Sequence, residues 1–158
     1  MAGVAIYRTG IAPEWIDYNG HLRDAYYGLI ISYATDALME RIGLDAPYRE
    51  RTHCTLYTLE MHVHYLREIK AADTVIVDLR IIAADHKRIH AAFELRCEPQ
   101  TDPAATAEVM LLHVRQLPSA ASEPFTPALA AAISALQQAA AALDAGGPGS
   151  RRMALPQR

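Results

Sequence analysis

One stretch of this chain carries the periodicity of a long helix, and the stretches after it carry the period-two alternation of strands, an order that leaves few folds open. From Arg23 to Ile42 the apolar residues Tyr26, Leu29, Ile30, Tyr33, Ala37 and Leu38 recur at intervals of three and four, with Arg23, Ser32, Asp36 and Glu40 falling elsewhere. Gly43 supplies the stop. Beyond a polar connection through Pro47 and Arg51, Tyr57, Leu59, Met61, Val63 and Tyr65 alternate with Thr58, Glu60, His62 and His64, which predicts a strand. The alternation returns over Val75 to Ile81 and again over Ile89 to Leu95. The polar stretch between these two runs is short enough for a hairpin, so they are expected as antiparallel neighbours. Glu98 to Ala105 reads as a loop around Pro99, Asp102 and Pro103, and Glu108 to Leu117 is an apolar run interrupted by His113 and Arg115, fitting a central strand. A first short strand, Val4 to Ile11, precedes the helix. An antiparallel sheet with one such helix can bury it only if the helix lies across the sheet, so the expected class is α+β.

With 158 residues, 51% of them hydrophobic, the chain can bury one sizeable core and is short for two. The net charge of -3 provides no positive field for a phosphate backbone, so no nucleic acid is expected as a main partner. Cys54 and Cys97 stand far apart, without metal or redox spacing, and read as small buried hydrophobes. The first ten residues lack a basic n-region and a sustained apolar stretch, and no run reaches the roughly 18 to 20 apolar residues of a membrane span. A reducing cytoplasm and no membrane partner are the expectation. From Pro118 the composition shifts to Ala, Ser and Pro, and Pro127 to Leu143 places Leu129, Ile133 and Leu136 at helical spacing. The expected organisation is a main domain over 1–117, a helical extension over 118–145 and a flexible tail over 146–158.

Asp17-Tyr-Asn-Gly20-His21, in the loop directly before the long helix, is the most informative chemical feature. A carboxylate there can serve as general base or nucleophile, and the free N–H groups of the helix's first turn, around Arg23 to Tyr26, can polarise a carbonyl oxygen. The same residues also make an ordinary turn with an Asx hydrogen bond or an N-cap. Glu60, His62 and His64 share one strand face. One strand supplies only adjacent side chains, and no remote fourth ligand is evident, so no metal is expected; Glu60 and His62 are candidates for polar groups near a reacting centre. Lys87 and Arg88 at the hairpin, with Arg67 and Lys70, make either a phosphate-binding cluster or a solvated turn. Among the aromatics, Tyr26 and Tyr33 read as core, Tyr57 and Tyr65 as cover for the sheet, and Trp15 and Tyr18 flank Asp17.

The chain resembles the hotdog-fold acyl-CoA thioesterases of the 4-hydroxybenzoyl-CoA thioesterase-like superfamily. The likeness runs from Val4 to Leu117 and rests on Asp17-Tyr-Asn-Gly-His21, on Glu60-Met-His-Val-His-Tyr-Leu-Arg-Glu-Ile69 and on Asp85-His-Lys-Arg-Ile-His90. It implies a hotdog fold, a long helix wrapped by a curved antiparallel sheet of about five strands, here with a C-terminal helix added. It also implies Asp17 as the catalytic carboxylate within a motif that includes Gly20 and His21, the helix start as the oxyanion site, and a homodimer or homotetramer. Many relatives continue Gly-His-Val-Asn-Asn, where this chain has Gly20-His-Leu-Arg-Asp24. More narrowly, Trp15 to His21, Tyr57 to His62 and Asp85 to His90 resemble the thioesterases associated with carnitine dehydrogenase, which implies glycine betainyl-CoA as substrate. No cofactor is implied, since coenzyme A is part of the substrate. A trimethylammonium group is held by ring faces, so Trp15, Tyr18 and Tyr27 are the expected contacts for the acyl end, and Lys87 and Arg88 for the CoA phosphates. Another short-chain or aromatic acyl-CoA, or non-catalytic acyl-CoA binding, are the alternatives.

Overall fold

The computed structural model describes residues 3–141. β1 (Val4–Gly10) leads through a 3-10 turn at Pro13–Trp15 to α1 (Asp24–Ile42) and α2 (Ala46–Thr52). Then follow β2 (Cys54–Tyr65), β3 (Thr74–Ala84), β4 (Arg88–Cys97), β5 (Pro103–Arg115), the two-residue β6 (Ala121–Ser122) and α3 (Pro127–Ala141). The strands pair antiparallel in the order β1-β3-β4-β5-β2, with β6 added at the end of β5. One core joins α1 to the inward residues of the sheet, among them Val77, Leu79, Phe93, Leu95, Val109 and Leu111. This is the hotdog arrangement of one long helix against a curled antiparallel sheet.

α1 starts at Arg23 without a side-chain cap and ends at Gly43, whose φ of 88° is the left-handed conformation that closes a helix. Asp24 in its first turn and Arg41 in its last match the helix dipole. The buried stripe is Tyr27, Ile30, Ile31, Ala34, Leu38 and Ile42, one step round from the expected one. Tyr33 is 39% exposed, its ring 6.0 Å from that of Tyr7, and Tyr26 is only partly buried. The chain is apolar at both sets of three-and-four positions, so spacing alone does not choose between them; contact with the sheet does.

Four further elements depart from the sequence reading. The polar connection around Pro47 is a helix, α2, because the Asp45 carboxylate accepts from the Tyr48 N–H at 2.9 Å and Tyr48 is buried beneath it. β2 starts at Cys54 and carries a bulge between Thr58 and Glu60. Leu56 before the bulge and Met61 and Val63 after it therefore all reach the core, while Tyr57 and Leu59, expected beside Met61, stay exposed. β5 begins at Pro103, where a strand's first position tolerates proline, so the expected loop is shorter. β6 pairs Ser122 with Val114 and Ala121 with Arg115, an addition too short to show as periodicity.

α3 forms as expected and packs mainly against β3, with Leu129 and Ile133 buried in the same core as α1. Leu143 and the tail over 146–158 lie outside the described residues. The segment between β5 and α3 is held by His113, a buried side chain whose Nδ1 donates to the Glu123 carbonyl at 2.8 Å and whose ring lies 5.0 Å from that of Phe125. Cys54 and Cys97 are buried and unpaired with each other.

Two substitutions test this account by thermal or denaturant unfolding. Leu129→Ala should cost about 2 to 5 kcal/mol, the range for truncating a buried leucine. Asp45→Ala should cost about 1 kcal/mol, the value of an N-cap. An unchanged midpoint in Leu129→Ala would detach α3 from the core.

Candidate active site

The Asp17 loop is a tight, self-bonded hairpin. The Asp17 N–H donates to the His21 carbonyl at 2.8 Å, the Gly20 N–H donates to the Asp17 carbonyl at 3.0 Å, and Ile16 bridges Leu22. Gly20 sits at φ +82°, which a β-carbon would strain. Asp17 Oδ1 accepts from the Asn19 N–H at 2.8 Å and the His21 N–H at 3.2 Å. The turn and functional readings therefore describe one geometry, because the Asx bonds that shape the turn also hold the carboxylate. Burial acts to raise the Asp17 pKa, but the N–H groups of His21 and Asn19 outweigh it and hold the group below its ordinary value of 3.8. At neutral pH Asp17 is an anion.

Backbone bonds fix this hairpin to both of its neighbours. The Leu22 N–H donates to the Ile69 carbonyl at 2.7 Å, His21 bridges Lys70, and the Arg23 N–H donates to the Trp15 carbonyl at 2.9 Å. Of the first-turn amides of α1, that of Ala25 is taken by the Asp24 carboxylate at 2.9 Å and that of Tyr26 by the Arg23 carbonyl at 3.0 Å. Among the described residues the Asp24 N–H has no partner. The expectation of oxyanion donors from Arg23 to Tyr26 narrows to that one group.

Asp17, His21, Asp24, Tyr27, Tyr65 and Glu68 meet around an open cleft of about 440 Å³. His21 Nε2 lies 2.9 Å from Glu68 Oε2. The rings of Tyr27 and Tyr65 meet edge to face at 5.0 Å and 90°, and the Tyr65 hydroxyl donates to the Asp24 carbonyl at 3.4 Å. Burial raises the pKa of both phenols, so each is a neutral donor at physiological pH. The structure thus brings together Asp17, His21 and Tyr27 of the expected set. It adds Tyr65, which the sequence reading assigned to sheet cover, together with Asp24 and Glu68. Asp24 was readable as the acid in the first helical turn; Tyr65 had no local signal, because only the bulge in β2 and the packing of α1 bring it here.

The other expected residues lie elsewhere on this chain. The Trp15 ring is stacked on Tyr26 at 5.6 Å and does not line the cleft, and Tyr18 is 93% exposed. Glu60 and His62 pair with each other at 3.0 Å and share a shallow hollow with His90 and Glu108, which are 2.9 Å apart. Glu108 alternates with the core-facing Ala107 and Val109, so this hollow is on the opposite face of the sheet from α1. Among the described residues no group of three His, Cys, Asp or Glu side chains is placed to hold a metal ion. Arg88 is held by Asp85 through bonds of 2.8 and 2.6 Å, and Lys87 Nζ reaches Ser122 Oγ at 3.2 Å. Both lie outside the cleft. Arg67 and Lys70 instead border an adjoining groove of about 320 Å³ that shares Arg67 and Glu68 with the cleft.

Comparison with known proteins gives one consistent result. The chain is 44% identical over 137 residues to the betainyl-CoA thioesterase of Pseudomonas aeruginosa, covering 87% of this chain and 86% of that one. It is 38% identical over 109 residues to the L-carnitine dehydrogenase/betainyl-CoA thioesterase of Agrobacterium fabrum, covering 69% of this chain and 22% of that longer protein. A hypothetical protein of Staphylococcus aureus solved in complex with CoA superposes with a TM-score of 0.88 at 30% identity, over 99% of this chain and 98% of that one. The model of the Thioesterase-like superfamily matches residues 11–133, and the chain belongs to that family.

Proposed function

We propose that this protein is an acyl-CoA thioesterase that hydrolyses glycine betainyl-CoA to betaine and CoA. The observation that carries the reading is the cleft lined by both an ionised Asp17 and Asp24, whose N–H at the start of α1 has no partner among the described residues. The 44% identity to a betainyl-CoA thioesterase supports the acyl group. Thioester cleavage needs an oxygen nucleophile at the carbonyl carbon and a donor for the oxygen that becomes negative. Two routes use the same carboxylate. Asp17 can take a proton from water, so that hydroxide adds to the carbonyl, or an Asp17 oxygen can add directly. In either case the tetrahedral oxyanion accepts from the Asp24 N–H and collapses with loss of CoA thiolate. The turn's N–H groups hold Asp17 ionised, as both routes require; in direct attack the product is a mixed anhydride. The mixed anhydride formed is then cleaved by water to betaine and the regenerated carboxylate. No step calls for a metal or cofactor. The adjoining groove offers the CoA moiety a path, with Lys70 and the Asp102-paired Arg67 on its border.

The assembly follows from the edge of the sheet. β2 is an edge strand of 12 residues, and Tyr57 and Leu59 are exposed along it. Such an edge in a soluble protein is normally covered, and a second copy pairing along β2 covers it symmetrically. The protein is therefore a homodimer, or a homotetramer built from two such dimers. The free thiols of Cys54 and Cys97 and the absence of any helix, among the described residues, long and apolar enough to cross a membrane favour the cytoplasm.

Asp17→Asn should lower turnover of betainyl-CoA about 100-fold or more, followed by thiol release, with the melting temperature retained. Turnover within a few-fold of wild type removes Asp17 from the mechanism. With Asp17 ionised down to low pH, kcat/KM should show no acid limb from this group above about pH 4. Light scattering on a sizing column should report a dimer or tetramer; a monomer at micromolar concentration refutes the edge pairing.

A further inference from the structure

The aromatic residues flanking Asp17 in sequence do not form the acyl end of the site, since Trp15 is stacked on Tyr26 and Tyr18 stands in solvent. We propose that the quaternary ammonium of the acyl group is held in the cleft by the ring of Tyr65, set edge to face against Tyr27, together with the carboxylate of Asp24. This assignment rests on the betainyl-CoA reading above and names the residues that would make the cleft select a cation.

The argument starts from what such a group offers. A trimethylammonium has no N–H, so it cannot be recognised by hydrogen bonds; it is attracted by ring faces and by an unneutralised carboxylate. In the cleft Tyr65 and Asp24 offer the two side by side. Tyr65 ends β2 and its hydroxyl reaches the Asp24 carbonyl at 3.4 Å, which puts its ring beside the first residue of α1. Tyr27, one turn further along α1, meets that ring edge to face at 5.0 Å.

The charges around the cleft single out Asp24. Asp17 is bound by two N–H groups of its own turn, and Glu68 is paired with His21. Arg67 donates to the Asp102 and Pro103 carbonyls and lies 3.6 Å from the Asp102 carboxylate, so its charge is already partnered outside the cleft. Arg23 is exposed. Asp24 spends one oxygen on the Ala25 N–H, and among the described residues no cation pairs with it. Burial, and after it the charge of Asp24, hold the Tyr65 phenol above its ordinary pKa.

The test compares betainyl-CoA with 3,3-dimethylbutyryl-CoA, which has nearly the same shape and no charge. The wild type should prefer the cation. Asp24→Asn keeps the acceptor for Ala25 and the backbone N–H, and should lower the ratio of kcat/KM for the two substrates roughly tenfold. Tyr65→Leu should lower the ratio similarly, whereas Tyr65→Phe, which keeps the ring face, should hold it within about twofold. If Asp24→Asn and Tyr65→Leu reduce both substrates alike, the cation subsite is refuted while the betainyl-CoA reading stands. If the wild type prefers the neutral thioester, both are refuted.

Discussion

The site depends on how the start of α1 is anchored. The helix has no side-chain N-cap, and what fixes its first turn is backbone pairing: Arg23 to Trp15 on one side and Leu22 to Ile69 on the other. Those bonds hold the Asp17 hairpin, the helix start and the connection between β2 and β3 as one unit. The core then sets its direction, since Tyr27, Ile30, Ile31 and Ala34 can be buried only if α1 lies along the curled sheet. Asp17 and Asp24 line one cleft because packing energy fixes the helix and hydrogen bonds fix the loop.

Asp17 illustrates how a local motif can be structural and chemical at once. Its acceptor bonds from Asn19 and His21 are ordinary turn chemistry. Those same donors favour the ionised form over the neutral one, so the turn that shapes the loop also keeps the carboxylate charged against the cost of partial burial.

Much of this was legible in the residues. The long helix, the β3–β4 hairpin, the central β5, the C-terminal helix and the Asp17 loop are all local patterns, and local patterns are what a sequence displays directly. The departures have a common cause, which is tertiary choice among locally equivalent options. α1 is apolar on two adjacent stripes, and only the sheet selects Tyr27 over Tyr33. β2 alternates without interruption in sequence, so nothing marks Leu59 as the extra residue. Proximity in sequence suggests Trp15 and Tyr18 as neighbours of Asp17 in the site, yet the hairpin turns Tyr18 to solvent and a remote residue, Tyr65, lines the cleft. α2 is different, because its Asp45 cap and Pro47 were present as signals and were read as a polar connection.

The bulge at Leu59 also bears on how far copies of the chain can associate. A straight edge of 12 residues is a template on which strand after strand could be laid. Here the ladder register shifts between Thr58 and Glu60, so the edge is broken into a short run on either side, each with its own twist. One surplus residue in β2 thereby removes the long, regular edge on which strand after strand could be laid, a guard against open-ended stacking written into the strand itself.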